Sequence, residues 1–483
     1  MKLTSRLSRI TAYLVGLVLI LSVLAGGAYY VILGRFQAIP AAPSYPHPST
    51  TLEAQRQDLD YFGRLMATDR SYSPQARAAA QQRLGKLKAL GTALPAQKLR
   101  IALMQIIALA DNGHSRVPVL SPGQTILVEP IRVTRFAEGF FVMRAKKPYS
   151  ALLGGRVENI DGVPFEKVLA QLETLRGGTE AWRRENAAGL IVLHDVLYGL
   201  GVASDPKQSR WTVRRPGGEA VTLTLTAAPL AKDESIPPTS RWLSPEPHKG
   251  AGADWVSYQP ASGILPESLR HYDDHFSLIP VPGSCAVDVR LQSIADSDGQ
   301  KIGPFLEETE AFLKGHRPCA VIMDLRGNGG GNYMNTWHFA HALPQLVTPG
   351  GKIYVLTDAG TFSAAISTTG FIKNAGGEMV KIVGEPVGDR LAFYSEGGMA
   401  CLPNSKICVN YQVGKHDYGG PCQGWDCFGL DWFYPVQVTN FAPDQTIARN
   451  FADWNSGRDT AYEWSLKAIR SGQTAKAGSD NPG

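Results

Sequence analysis

The chain has 483 residues, too many for one ordinary hydrophobic core, so roughly two to four domains are expected. A hydrophobic fraction of 44% excludes a wholly disordered chain. The formal net charge is only +5 and the basic residues are scattered, which argues against a nucleic-acid partner.

Lys2, Arg6 and Arg9 precede Ala12–Leu33, a 22-residue run without a charge. Such a run is long enough to span a bilayer, and the basic residues on one side predict a cytoplasmic N-terminus with the body in the periplasm or outside the cell. A cleaved signal peptide is the competing reading, because Val23-Leu24-Ala25 resembles a processing site and cleavage there leaves a secreted protein. Residues 1–36 are therefore taken as an anchor or signal. Residues 37–51, with prolines at 40, 43, 46 and 48, are taken as a semi-extended spacer that holds the body off the membrane.

From 52 to 115 the composition turns helical, with apolar residues at three-and-four spacing, a helix start at Ser73-Pro74 and a boundary at Ala93-Leu94-Pro95. The last of these helices runs into Asp111-Asn112-Gly113-His114, where glycine is an ordinary helix stop. Residues 116–231 alternate short strand-like runs with one helical run, and Arg214–Gly218 marks a hairpin turn. The order strand, Asp161-Gly162 turn, helix looks like a PDZ-type module, which takes an extended peptide as an added strand; an ordinary β-rich domain has the same patterning. A proline-rich linker is placed at 232–250.

Within 251–470, Ala320–Leu325, Ile353–Leu356 and Val380–Val383 are short β-branched runs separated by segments long enough for helices, which predicts an α/β core with a parallel sheet. Chemistry in such sheets collects where strands end and helices begin, and those places hold Gly327–Gly331 and Thr361–Ala365. Ser363 stands on a strand-to-helix turn at the positive end of a helix dipole, the position of a nucleophile, although an N-cap serine has the same local pattern. The glycine loop lacks the spacing of a nucleotide P-loop and instead offers backbone N–H groups to an oxyanion. His271 and His275 share a helical spacing but lack the glutamate of a zinc peptidase, so no metal is expected, and a zinc hydrolase is only a rival reading.

Cys401, Cys408, Cys422 and Cys427 crowd one region, and an exported chain favours local disulfides among them, with three pairings open. A zinc site from the same four is the alternative, but neither close pair has C-x2-C spacing. Cys285 and Cys319 lie in strand-like runs, and residues 471–483 form a polar tail expected to be disordered.

Taken together, VIMDLRGNGGG, VLTDAGTFSAA, KIVGEPVGD, LPNSK and FYPVQV…APD across Val321–Asp444 resemble the tail-specific, or C-terminal-processing, serine peptidase family. The resemblance implies a ββα spiral core like that of the crotonase and Clp-protease folds, a protein or peptide substrate and no cofactor. Members commonly pair the serine with a lysine after a G-E-x-x-G turn. Here Gly384-Glu385-Pro386-Val387-Gly388 is followed by Asp389, so that dyad is missing. The family's tricorn-like branch uses a histidine in a D-x-H-type loop, which carries over to His114 as general base. Its third member carries over to Asp426, with Asp417 and Asp431 as competitors. The implied site is Ser363, His114 and Asp426, with Gly329 or Gly330 and Ala364 as oxyanion donors. The resulting expectation is a membrane-anchored, exported serine endopeptidase, and the rival is a non-catalytic peptide-binding scaffold of the same fold.

Overall fold

The computed structural model describes residues 2–37, 39–231, 239–247, 252–270 and 272–479. Helix α1 (Lys2–Ile32) contains the apolar stretch Tyr13–Ile32, which is long and apolar enough to cross a membrane and is not buried against the rest of the chain. Both a membrane span and a signal sequence have these properties. Immediately after it, Arg35 and Phe36 are buried in the body of the protein. The proline-rich segment does not stand free as expected. It runs along α2 (Thr51–Thr68), where Tyr61 Oη donates to Pro40 O (2.6 Å), Gln57 Nε2 donates to Pro46 O (2.9 Å) and Tyr45 Oη donates to Asp60 Oδ2 (2.8 Å). Two of its carbonyls, those of Pro40 and Pro46, are thus met by side chains of the helix.

Helices α3 (Pro74–Lys88) and α4 (Ala96–Ile107) begin where the sequence signals place them, and Ser73 caps α3 by accepting from Ala76 N–H. The β-rich module follows. Its strands β1 (Leu127–Val128), β2 (Ile131–Phe136), β3 (Gly139–Lys146), β4 (Arg156–Ile160) and β5 (Val163–Pro164) lead into α5 (Phe165–Glu173), α6 (Glu180–Leu190) and α7 (His194–Leu200). Then come β6 (Gln208–Arg214), β7 (Ala220–Thr226), β8 (Ala228–Pro229) and β9 (Trp255–Ser257). The main sheet runs β2-β3-β4-β6-β7, with β5 on β4 and β9 on β3. Of the expected linker, 232–238 and 248–250 lie outside the described residues. Between them Trp242 and Leu243 are buried against Phe136, Phe141, Phe451 and Trp454, which ties the module to the end of the core.

The core sheet has the order β10 (Phe276–Pro280), β11 (Ala286–Leu291), β12 (Ala320–Asp324), β13 (Lys352–Thr357), β14 (Val380–Gly384) and β17 (Gln445–Thr446). Strand β10 is antiparallel to β11 and the other pairs are parallel. Helices α8 (Ile302–His316), α9 (Met334–Leu346) and α10 (Ala364–Gly376) make the crossovers. The mixed α/β expectation is met. The long hairpin β15 (Ala392–Cys401) and β16 (Cys408–Asp417) follows β14. After it come α11 (Phe451–Asn455) and α12 (Thr460–Ser479), whose Ala461 and Ile469 cover Ile322, Tyr354, Leu356 and Val383 on the sheet. The tail expected to be disordered from 471 is thus helical to Ser479, because it continues a helix already docked by its first turns, and 480–483 lie outside the described residues.

Three disulfides join Cys401 to Cys408, Cys422 to Cys427 and Cys285 to Cys319. The last was not anticipated. Its cysteines each stand one residue before the parallel pair Ala286↔Ala320, so the sheet register brings them together. Alkylation of the native protein without reductant is expected to modify none of the six cysteines, as read by intact-mass measurement; labelling at Cys285 or Cys319 would contradict this arrangement.

Candidate active site

Ser363 occupies the N-cap position of α10, but its hydroxyl makes no capping bond and its backbone lies at φ 53°, ψ −125°. A capping serine has extended backbone and accepts from the first-turn N–H groups, so the structure removes that explanation. A non-glycine residue held in this sparsely populated region is strained, and such strain persists only where the surroundings over-determine it. They do so here. Gly330 has φ +101°, and a Cβ added to it would lie 2.7 Å from Ser363 Cβ, 2.8 Å from Ala364 N and 2.9 Å from Phe362 O. Only glycine allows the 327–331 loop to pass this close to the serine turn.

The two loops are also pinned from behind. Asp358 is buried and its Oδ1 accepts from Gly327 N–H (2.8 Å) and Gly360 N–H (2.9 Å), while Phe362 N–H donates to Asn328 O (2.9 Å). Burial raises the Asp358 carboxyl above its ordinary range, against the opposing pull of Arg449. Beneath the loops lies a cavity of about 80 Å³, lined among others by Asp324, Arg326, Asp358, Glu385, Arg449 and Asp459. Arg326 bridges Asp324 (2.6 Å) and Asp459 (2.8 Å), and Arg449 faces Asp358 (3.5 Å). Arg326 is thus flanked by two carboxylates and Arg449 faces a third, so these charges largely offset one another beneath the loops.

Among the proposed oxyanion donors, Gly330 N–H donates to Asn328 Oδ1 (2.9 Å), whereas Gly329 and Ala364 N–H have no acceptor among the described residues. Nothing lies within 4 Å of a Cβ added to Gly329, so that face of the loop is open. Ala364 N–H begins α10 and adds the helix dipole to the same side of Ser363.

The structure brings His114 to this turn from about 250 residues upstream. Its ring stacks on Phe362, the residue before Ser363, with centroids 4.3 Å apart, and Phe362 stacks in turn on Trp182 at 3.8 Å. Phe393 closes the opposite side at 5.3 Å. The loop that carries His114 is stitched to the core hairpin. Asn112 exchanges bonds with the Tyr394 backbone (2.9 and 3.2 Å), Gln412 Nε2 donates to His114 O (3.0 Å) and Arg390 Nη2 donates to Asp111 Oδ2 (2.7 Å). Both imidazole nitrogens are buried without a hydrogen-bond partner among the described residues; Asp389 Oδ2 lies 3.7 Å from Nδ1 and is itself unpartnered, and the Glu396 carboxylate also feels the His114 charge.

The acids singled out from the sequence are placed differently. Asp426 accepts from the Tyr394 hydroxyl (3.1 Å), Asp417 pairs with Lys415 (2.9 Å) and Asp431 pairs with His416 (2.9 Å). His416 was not singled out at all. It lies buried against Phe393, with Glu396 3.7 Å from its other nitrogen and Tyr333 Oη donating to Asp431 (3.1 Å). Asp389 was noticed only as the place of a missing lysine. His271 lies outside the described residues, His275 faces Asp298 (3.2 Å), and among the described residues no cluster of three potential ligands can hold a metal.

No protein-family model and no curated protein matches the chain. Solved structures do. Mature CPAF is 14% identical, with a TM-score of 0.53 over 87% of this chain and 97% of that one. A point variant of CPAF gives 0.55 at the same identity and coverage, and a further structure, with a TM-score of 0.53, holds mature CPAF complexed with lactacystin. The photosystem II D1 C-terminal processing protease is 13% identical over 86% of this chain, with a TM-score of 0.36. The protein has the fold of mature CPAF. The likeness to tail-specific proteases noted in the sequence therefore holds at the level of the fold.

Gly330→Ala is expected to destabilise the protein by about 1–3 kcal/mol in denaturant unfolding, since the added methyl must displace the Ser363 turn. A neutral result would show that the loop has room. The His416 network has a pH signature. Burial pulls this imidazole down, but Asp431 and Glu396 more than offset it and raise it to about 10 from an ordinary 6.5. Its stabilising contribution is therefore complete below about pH 6.5 and lost as pH rises towards 10. The stability difference between the wild type and His416→Gln should shrink across that window, and a constant difference would remove the charged-network assignment.

Proposed function

We propose that this protein is a membrane-anchored, exported serine endopeptidase of the tail-specific type, working through a histidine base in the manner of the tricorn-like branch. The observation that carries this reading is the strained, uncapped Ser363 at the start of α10, beside two N–H groups without acceptors and a stacked histidine without partners. A helix cap explains none of these features. An acyl-transfer site accounts for each of them.

In the proposed reaction His114 accepts the Ser363 Oγ proton as Oγ attacks the peptide carbonyl carbon. The carbonyl oxygen takes up negative charge and is met by the N–H groups of Gly329 and Ala364. Collapse expels the amine, which takes the proton from His114 and leaves an acyl ester on Ser363. Water, deprotonated by His114, then hydrolyses the ester and restores the hydroxyl. Gly330 serves by its close approach, because its own N–H is held by Asn328. We assign the orienting carboxylate to Asp389 rather than Asp426, since Asp389 Oδ2 lies 3.7 Å from the imidazole Nδ1 whereas Asp426 bonds the Tyr394 hydroxyl. The β-rich module, with β7 at the end of its sheet, supplies an edge on which an extended peptide can add as a strand.

A fluorophosphonate probe is expected to label the native protein and to leave Ser363→Ala unlabelled. Failure to label native protein would favour a binding scaffold. Asp389→Asn is expected to lower the labelling rate by on the order of 10²–10⁴-fold, as loss of the tautomer-holding acid does in serine triads, while Asp426→Asn stays near wild type. The reverse pattern would return the role to Asp426.

A further inference from the structure

We infer that the surface around Trp425, Trp432 and Phe433 is a membrane-docking face that sits at the headgroup level of the bilayer crossed by α1. This rests on reading α1 as a membrane span and is independent of the chemistry at Ser363.

The first observation is a cluster of large apolar side chains on the outside. Trp425 is 61% exposed, Trp432 42% and Phe433 58%, and two of them are tryptophans, which rarely stand in water without a reason. The second is what they surround. The Arg35 guanidinium lies 3.9 Å over the Trp425 ring and 5.6 Å from that of Trp432, and its Nη2 donates to Cys427 O (3.0 Å). The Cys422–Cys427 disulfide closes the loop that carries Trp425, and the Arg35 bond to Cys427 O holds this closed loop to the chain three residues beyond α1. Phe36, next in the chain, is buried edge-on against Phe428 at 5.3 Å.

Depth then follows from helix geometry. The apolar stretch Tyr13–Ile32 is 20 residues long, and at ~1.5 Å per residue it matches the ~30 Å hydrocarbon core. Ile32 therefore reaches one boundary of that core, and Arg35, three residues on, falls among the headgroups. Side chains stacked on Arg35 must lie at nearly the same depth. Tyr29 and Tyr30, both exposed near the end of α1, complete an aromatic belt of the kind that marks a membrane–water interface. Because Arg35 and Phe36 are buried in the body, the protein has no slack with which to lift this face away. A lipid interface fits amphipathic indoles with a cation among them better than a second protein surface does, and the anchor supplies that interface at the correct distance.

The test uses the full chain in phosphatidylcholine nanodiscs carrying nitroxide-labelled lipids, with the label either shallow or deep in the acyl chain. Shallow label is expected to quench tryptophan fluorescence more than deep label, and the excess should vanish in Trp425→Tyr/Trp432→Tyr, which keeps the interfacial character while removing the fluorophores. Amide exchange over 421–434 in the wild type should be slower in nanodiscs than in detergent, a comparison that needs no variant. Equal quenching in wild type and the double variant, with unchanged exchange, overturns the docking face. Protection that appears in detergent and rises with protein concentration assigns the surface to a second copy and also overturns it. Release of the protein from vesicles by alkaline carbonate removes the anchor reading and the docking face with it, whatever the fluorophosphonate result.

Discussion

The close approach of Gly330 to the Ser363 turn is the constraint on which the site depends. A backbone at φ 53°, ψ −125° does not persist unaided in a serine, and the energy that holds it comes from around it. The glycine loop in front leaves no volume for a relaxed turn. Behind, one buried carboxylate, Asp358, ties the start of the glycine loop to the start of the serine loop. Both loops leave neighbouring parallel strands at their carboxyl ends, so the sheet fixes their separation and Asp358 fixes their mutual height. Anchoring both loops to the same rigid sheet is how a fold keeps reacting groups within fractions of an ångström.

The histidine is held by a different kind of force. Among the described residues no hydrogen bond directs the His114 ring; flat rings do, with Trp182, Phe362, His114 and Phe393 forming one stack. Stacking sets the plane of the imidazole while leaving both nitrogens without a hydrogen-bond partner among the described residues, an arrangement that suits the base proposed above. The same stack couples three parts of the chain. Trp182 belongs to the β-rich module, His114 to the helical region and Phe362 to the core, so the site is complete only when all three are packed.

Much of this architecture was legible. The three β-branched runs with their small-residue loops gave the parallel strands within a residue or two, because a buried parallel strand has few alternatives in sequence. The serine and glycine loops were legible for the same reason, since both sit where such strands end. The acid was not. Asp389 follows the G-E-x-x-G turn directly, and its meaning depends on where a loop about 275 residues away comes to rest. His416 was invisible as well: nothing in an alternating strand distinguishes a histidine that is solvated from one enclosed by Glu396 and Asp431. The proline-rich segment misled because composition describes how a free chain behaves, and here α2 supplies hydrogen-bond partners for its carbonyls.

Helix α1 and the Ser363 turn are joined by aromatic packing as well as by the chain. From His114 the contacts pass through Phe393, His416 and Phe428 to Phe36, with no centroid separation above 5.6 Å. Phe36 lies four residues beyond the end of α1 and packs without an intervening flexible tether. A proteolytic domain on a long spacer samples a large volume and meets soluble and membrane-bound chains alike. Under the proposed reading of α1 as a membrane span, this packing holds the Ser363 turn at a fixed, short distance from the bilayer. For the endopeptidase proposed above, reach rather than sequence would then be the first filter on substrates.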